Sequence, residues 1–527
     1  AFTSSATAWI ASRSSASASH CQMPSCRVQW ETAPVSVSSR MKPSTLGSIS
    51  NRPVSASWAD AAPNDILSGS LNAPDPDAWK ETLDEAGVAA ADMSDAQRAL
   101  LSDLIEQVLG RYRPEIANAA RAAMDDLEAA TPDRVLVLQV TFTDAGVIAE
   151  AAARFAQPLA IWAVPEPRLG GRLRLNAFCG LNLASHALGL RGRGFGWLYA
   201  APDAADVAGL LAGDRDSGRL NPQQAGDAQA GAPVAQALAG RRIARIGAHP
   251  DGFDTCGYDA GALKALAGVE VAELELAEMF DTARALPEAA AAPLRARTAQ
   301  VLPDLDDVDQ TELDRSLRLR LALDGIRDKG NYDAFAIRCW PETFTEYGGA
   351  VCGPVAQLGE ARVPCACEAD VYGALTQLLL QEVAQAPVFL VDLVDMDADD
   401  DTGVVWHCGQ APLSMADPDV TPQATIHTNR RMPLLYQFPL RPGRLTLARV
   451  SQAHGQPRLV IGGADALRRP MAFTGTSGVI RFDRPAGEAL TRVIDAGLEH
   501  HMGLVYGDHR EALRDAAAAL GLPVLEI

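Results

Sequence analysis

Apolar runs alternate with helical stretches through the first part of the globular chain. The run Arg134–Phe142 is almost continuously apolar, which is typical of a strand buried on both faces of a parallel sheet. A helix-like stretch at Asp144–Ala156 and a second apolar run at Leu159–Val164 follow it. This order predicts a β–α–β unit. A stretch rich in Gly, Ala and Gln at Gly213–Gly231 then indicates a boundary.

A second block with the same alternation begins at Arg241. Between its strands lie helical segments, the longest of them at Glu312–Asp328. The pattern predicts a second parallel sheet covered by helices. Its strand-like runs are Arg241–Gly247, Val269–Leu276, Tyr332–Trp340 and Val363–Ala369.

The character of the chain changes after the acidic stretch Asp395–Asp401. Strands with alternating polar and apolar positions, joined by Gly and Pro turns, predict a β-rich end. The predicted fold class is therefore α/β, with two Rossmann-like parallel-sheet domains followed by a β-rich C-terminal α+β domain. We place these domains at residues 71–240, 241–395 and 396–527.

Residues 1–70 have a different composition. They are rich in Ser and Ala and show no apolar periodicity, so we interpret them as disordered and leave them out of the fold. Two other interpretations stay open at this point. The Ser- and Arg-rich, acid-poor start also fits a targeting peptide, and Met41 is an alternative start of the protein.

Charge and cysteine content narrow the classes of function. The formal net charge of −20 argues against nucleic acid or an anionic membrane as a partner. No stretch approaches the roughly 18 consecutive apolar residues of a membrane span. The nine cysteines include no CxxC pair, so we expect reduced thiols rather than disulfides or a zinc site. This composition is typical of a cytoplasmic enzyme.

Two acidic residues follow neighbouring strand-like runs of the second block. Glu342 comes after Trp340 and Pro341, and Asp370 comes after the run that ends at Ala369. Ligands of open α/β sheets bind at the carboxyl ends of the strands, so both acids are expected at one edge. A divalent cation would keep two neighbouring carboxylates ionised. The alternative is that both are solvent-exposed loop residues that bind no ligand. The sequence of this region does not decide between the two interpretations.

Histidines late in the chain offer a nitrogen ligand. His500 and His501 are adjacent, and neighbouring side chains diverge, so we expect at most one of them to bind a metal ion. His407 follows an apolar strand, and it is either a structural histidine or a residue that binds substrate. Arg338, on the strand before Glu342, either holds a substrate oxygen or pairs with a buried acid.

Four segments, in this order along the chain, resemble the L-fucose isomerase family. They are CWPE, PCACEADVYGAL, VVWHCGQAP and EHHMGLVYGD. The resemblance implies an aldose–ketose isomerase with a divalent cation, usually manganese, bound by two carboxylates and a histidine. On these motifs the metal ligands are Glu342, Asp370 and His501, and His407 is a candidate for binding the sugar hydroxyls. Arg338 is a candidate for binding the substrate on its position alone, and its pairing with a buried acid stays the alternative. Glu346 is an alternative to Glu342, because its spacing to Asp370 suits fucose isomerase itself.

The resemblance also implies a mechanism and partners. Glu342 and Asp370 would move protons between C1 and C2 of an open-chain pentose or deoxyhexose-like sugar through a cis-enediolate. The cofactor would be Mn²⁺, with Mg²⁺ or Co²⁺ as alternatives. We expect a homo-oligomer, a trimer or hexamer, with no nucleic acid or membrane partner. The rival functions are a non-catalytic sugar-binding protein and a metal-dependent epimerase on the same scaffold.

Overall fold

The computed structural model describes residues 7–12, 124–125, 127–213, 222 and 226–527. The chain divides into a larger compact unit, which includes Leu136–Ile527, and a smaller one at Ala8–Val135. Strand β1 (Thr7–Ser12) is the only element described in the predicted N-terminal segment, and the rest of residues 1–70 lies outside the described residues. Every element of the candidate site belongs to the larger unit.

The first α/β region confirms the predicted β–α–β unit. Strands β2, β3 and β4 lie side by side in one sheet, and β3 runs parallel to β4. Strands β2 and β3 each match a predicted apolar run. The elements of this region are β2 (Arg134–Gln139), α1 (Gly146–Arg154), β3 (Leu159–Ala163), α2 (Ala177–Leu190), β4 (Gly196–Tyr199) and α3 (Val207–Ala212).

The second α/β region contains a four-stranded sheet in the order β6-β5-β7-β8, in which all neighbouring strands are parallel. Aspartate caps begin two of its helices: Asp259 accepts the N–H of Ala262, and Asp309 accepts the N–H groups of Thr311 and Glu312. The elements are α4 (Ala228–Leu238), β5 (Arg242–Ile246), α5 (Ala260–Ala267), β6 (Glu270–Leu274), α6 (Leu276–Arg284), α7 (Ala292–Ala299), α8 (Gln310–Gly330), β7 (Ala334–Ile337), α9 (Cys352–Glu360), β8 (Cys365–Ala366) and α10 (Val371–Ala384).

The C-terminal region is built on a nine-stranded sheet, six strands of which close into an antiparallel barrel. The ring runs β9-β10-β15-β14-β13-β16 and returns to β9. Closure leaves these six strands without a free edge. The elements are β9 (Phe389–Asp397), β10 (Thr402–His407), β11 (Gln423–Thr425), β12 (Leu435–Pro439), β13 (Gly443–Ser451), β14 (Arg458–Ala466), β15 (Thr476–Phe482), α11 (Ala486–Asp495), β16 (His501–Tyr506), α12 (Arg510–Ala519) and β17 (Val524–Glu526).

Parallel sheets followed by a β-rich region confirm the predicted fold class. The predicted boundary between residues 395 and 396 falls inside β9, whose whole length pairs within the barrel. An apolar core shared by α10 and barrel strands joins the second α/β region to the barrel, with Leu375, Leu379 and Val450 among its buried members. In the part of the chain that the structure describes, no helix is long and apolar enough to cross a membrane.

Candidate active site

The site begins at the edge of the second parallel sheet, where β7 and β8 end side by side. The segment after β7 carries Trp340, and the segment after β8 carries Glu368. The indole Nε1 of Trp340 donates to Oε1 of Glu368 at 3.0 Å. The two strand ends predicted to meet are therefore tied together by a direct hydrogen bond.

The backbone at Glu368 is in a rarely populated conformation. Glu368 and Ala369 both have left-handed φ angles, of 57° and 56°. For residues other than glycine each such angle costs about 1–3 kcal/mol, and such residues are concentrated at functional sites. The turn directs the buried Glu368 carboxylate toward His500, whose Nε2 lies 3.0 Å from Oε2.

Three barrel strands bring the other groups of the site together. In the strand register, Asp392 on β9 lies directly opposite His501 at the start of β16. His501 Nε2 lies 3.5 Å from Oδ1 of Asp392 and 3.7 Å from Oε2 of Glu368. At the end of β10, the ring of His407 stacks against that of His501, with centroids 5.7 Å apart. All four side chains are buried.

Asp370 lies next to this cluster, and both of its carboxylate oxygens accept hydrogen bonds from other groups of the chain. Its Oδ1 accepts the N–H of Gly373 at 2.8 Å and caps α10. Arg449, a fully buried residue of β13, donates to Oδ2 at 2.5 Å and to Oδ1 at 3.0 Å. Oδ2 also lies 2.9 Å from Nδ1 of His501.

The donor set suits a divalent cation. Among the described residues, His501 belongs to each of three buried groups that could hold a metal ion: Cys256 with Asp370, Glu368 with His500, and Asp392 with His407. Ligand atoms bound at about 2.0–2.3 Å lie roughly 3–4.5 Å apart. His501 Nε2 lies within that range of one oxygen of Glu368 and of one oxygen of Asp392, and these two carboxylates belong to different groups of the three. Oδ1 of Asp392 also has no hydrogen-bond partner within the described chain.

His407 differs from the other groups in its hydrogen bonding. The backbone N–H of Cys408 donates to Nδ1 of His407 at 2.9 Å, so the neutral ring carries its proton on Nε2. That Nε2 atom is buried and has no hydrogen-bond partner among the described residues. It is therefore a free donor, suited to a sugar oxygen.

The pKa values follow from burial and charge. Burial raises the pKa of Asp392 to about 6. Burial also tends to raise the pKa of Glu368, but the hydrogen bond and charge of His500 outweigh it and hold that pKa below its usual value. The pKa of His501 is lowered, first by burial and then by the neighbouring His500, which favours the neutral ring that binds metals.

Comparison with known proteins decides the family. Residues 106–210 match the family model described as fucose/sulfoquinovose isomerase, N-terminal domain. The sulfoquinovose isomerase of Alkalicoccus urumqiensis is 31% identical over 411 residues, which cover 76% of this chain and 89% of that protein. The sulfoquinovose isomerase of Priestia aryabhattai is 31% identical over 401 residues, 76% of this chain and 86% of that protein. The chain belongs to the fucose/sulfoquinovose isomerase family. It is an aldose–ketose isomerase, as the sequence motifs indicated.

Within this family assignment, the structure brings together some of the predicted residues and not others. Asp370, His407 and His501 lie in the buried cluster. Glu342 belongs to none of the three groups found among the described residues. Its Oε2 accepts a hydrogen bond from Nε of Arg338 at 2.7 Å. The Glu346 side chain is exposed and also lies in none of those groups.

Sequence reasoning missed Glu368, Asp392 and the role of His500. Glu368 lies in the segment PCACEADVYGAL, two residues before Asp370. Asp392 interrupts the apolar run of β9, and a carboxylate in a fully buried strand is a signal that could have been used. His500 was expected to face away from His501, but both rings approach the Glu368 carboxylate.

Proposed function

We propose that this chain is a divalent-metal-dependent isomerase that interconverts sulfoquinovose and its ketose through a cis-enediolate. The relatives of known name support the substrate, since all four of the matches found act on sulfoquinovose by name. That sugar is a 6-deoxyhexose carrying a sulfonate, so it falls within the class that the sequence indicated. The observation that carries the chemistry is the cluster of buried carboxylates around His501 Nε2.

We propose Glu368, Asp392 and His501 as the residues that hold the cation. Two hard oxygen ligands and one imidazole favour Mn²⁺, with Mg²⁺ or Co²⁺ as alternatives. When bound, the cation would polarise the sugar carbonyl and add positive charge beside the enediolate oxygens. Asp370 fits the role of a ligand less well, because Arg449, Gly373 and His501 already occupy its oxygens.

Glu342 is the proposed proton-transfer group. Its side chain is about a quarter exposed, whereas both oxygens of Asp370 already accept hydrogen bonds from Arg449, so Glu342 is the better placed of the two to exchange a proton with a substrate carbon. Burial tends to raise the pKa of Glu342, but the hydrogen bond from Arg338 keeps it below its usual value. The carboxylate is thus in its basic form, ready to take a proton from C2 and return it to C1.

Two further residues are proposed to bind the sugar. The free Nε2–H of His407 would donate to a hydroxyl or carbonyl oxygen. Arg338 carries the charge that a sulfonate requires, and its Nη1 is held by the carbonyl oxygens of Ala248 and His249. Replacing Arg338 with Lys should raise KM more for sulfoquinovose than for quinovose, its analogue without the sulfonate. Equal increases in KM for both sugars would mean that Arg338 does not bind the sulfonate and only positions Glu342.

Purified, metal-stripped protein provides the decisive test. We expect no turnover of sulfoquinovose without added cation, recovery with Mn²⁺, and a ketose product by NMR with deuterium from heavy water at one carbon. Binding of the sugar without turnover under all conditions would favour the binding-protein alternative. An epimeric aldose as the product would favour the epimerase. The homo-oligomer and the cytoplasmic location expected from the sequence stay predictions.

A further inference from the structure

We propose that Trp406 is a positioning residue, which fixes the plane of the His407 ring and ties that ring to the first α/β region. This inference rests on the proposed function, because it takes His407 as a residue that binds the sugar. It concerns the residue that aims His407, and none of the residues proposed to hold the cation.

The ring of Trp406 lies along the ring of His407. The two rings are nearly parallel, at 9°, and their centroids are 6.0 Å apart, which is an offset stack. The χ2 angle of a histidine has broad minima, so the side chain does not set the plane of its own ring. The neighbouring indole therefore decides which way the imidazole faces.

The indole is itself held in place. Its Nε1 donates to the carbonyl oxygen of Thr474 at 2.7 Å. Trp406 is also buried in an apolar cluster that contains Leu173 of the first α/β region and Val404 of the barrel. A short hydrogen bond and close packing together give the His407 ring a fixed surface to stack on.

Thr474 connects this contact to the loop between β3 and α2. The N–H of Thr474 donates to the carbonyl oxygen of Gly171 at 2.6 Å, and the N–H of Gly170 donates to that of Ala472 at 3.0 Å. The two glycines have φ angles of 75° and 115°, which residues with a Cβ rarely adopt. The loop of the first α/β region is thus shaped to hold the segment that accepts the indole N–H.

Gly475 shows how closely the backbone approaches the two rings. A Cβ placed on Gly475 would lie 2.7 Å from the carbonyl oxygen of His407 and 3.2 Å from Nε1 of Trp406. Its φ of 116° also favours glycine. A side chain at this position would displace both residues, so the missing side chain lets them pack against the backbone just before β15.

The test uses two changes at position 406. Trp406→Phe keeps an aromatic face and removes the indole N–H together with part of the ring. Incorporation of 3-benzothienylalanine at position 406, in which sulfur replaces the N–H, keeps the size of the ring and removes the hydrogen bond alone. Trp162→Phe is the matched control, because Trp162 also donates its Nε1 to a backbone carbonyl oxygen, that of Ala200, at 3.0 Å.

Two measurements on full-length protein decide the outcome. At saturating Mn²⁺, Trp406→Phe should raise KM for sulfoquinovose by about 2–10-fold, as expected when one hydrogen bond to the substrate is weakened, and leave kcat within about two-fold. Crystal structures of metal-free protein should show the His407 ring in one orientation in wild type and rotated, or in two orientations, in Trp406→Phe. The 3-benzothienylalanine protein should change in the same direction, and the control should match wild type.

The affinity for Mn²⁺ should stay unchanged in all variants, since His407 is not among the proposed ligands. Melting temperature checks folding, and a purely structural role would lower it without changing KM. An unchanged KM, or a His407 ring in its wild-type orientation, in folded Trp406→Phe would overturn the positioning role. Wild-type protein that does not isomerise sulfoquinovose would contradict the proposed function, and the orientation of His407 in the crystal structures would then decide the positioning role alone.

Discussion

The two sides of the candidate site are built in different ways. On the barrel side, Asp392 and His501 face each other on regular, paired strands, and their positions follow from the strand register. On the sheet-edge side, Glu368 reaches the cluster from a turn with two left-handed residues. The cost on the barrel side is electrostatic, because a buried carboxylate oxygen has no hydrogen-bond partner among the described residues. On the sheet-edge side the cost is conformational strain.

This difference indicates how each side should respond to mutation. Removing a charge from the barrel side relieves a desolvation penalty, and relaxing the turn relieves backbone strain. Both changes should favour the fold and weaken the site, since functional sites commonly hold groups that are unfavourable for stability. Four predictions separate the two sides.

The largest effect is expected at His501, which both sides share. His501→Ala should lower Mn²⁺ affinity by more than about 100-fold and abolish isomerisation, because it removes the proposed nitrogen ligand. His500→Ala is the matched control and should lower the affinity less, since it removes only a hydrogen bond to Glu368. Isothermal titration with Mn²⁺ and a ketose assay measure the two effects. Wild-type activity of His501→Ala at saturating Mn²⁺ would refute the site.

A second prediction separates the two glutamates of the sheet-edge side. Glu368→Gln should lower Mn²⁺ affinity by about 10–100-fold, because the charge is lost while the shape is kept. Glu342→Gln should leave the Mn²⁺ affinity close to wild type and lower kcat. Glu342 contacts Arg338 and belongs to none of the three groups of described residues that could hold a metal ion. If Glu342→Gln instead abolishes Mn²⁺ binding, Glu342 is a metal ligand, as the family resemblance implies.

Comparing the two sides of the site also shows which of its parts could be predicted from the sequence. The strand ends that carry Glu342 and Asp370 were predictable, because apolar runs mark parallel strands and ligands bind at their carboxyl ends. Two left-handed residues without glycine leave no sequence signal, so Glu368 could not be preferred to Asp370, two residues further on. Salt bridges between distant segments, such as Arg449 with Asp370, were equally hidden.

Barrel closure was beyond the sequence for a related reason. Alternating strands predicted a β-rich region, but closure depends on β14 pairing with both β13 and β15. Asp392 interrupts the apolar run of β9, but only the pairing of β9 with β16 places it opposite His501. Local sequence patterns predict the strands and helices. Which strands pair, and therefore which side chains face each other, depends on the tertiary structure.

The third prediction concerns the electrostatic cost on the barrel side. Asp392 has a folded pKa of about 6, above its ordinary value of 3.8, so its ionisation destabilises metal-free protein as pH rises from about 4 to 6. Asp392→Asn should therefore raise the melting temperature of metal-free protein at pH 7, by about 2 °C or more, while weakening Mn²⁺ binding. The gain should vanish near pH 4. A lower melting temperature at pH 7 would show that the charge is stabilised in the fold.

The smallest effect is expected from relaxing the strained turn. Ala369→Gly allows φ of 56° without the steric cost of Cβ, which offsets the entropy that glycine adds to the unfolded chain. The melting temperature should stay unchanged or rise slightly, and Mn²⁺ affinity should fall a few-fold because Glu368 is held less firmly. Ala366→Gly, in the extended strand β8 just before the turn, is the control and should lower stability by about 0.5–1 kcal/mol or more. A marked loss of stability in Ala369→Gly would mean that packing of the buried methyl group, rather than strain, dominates this side of the site.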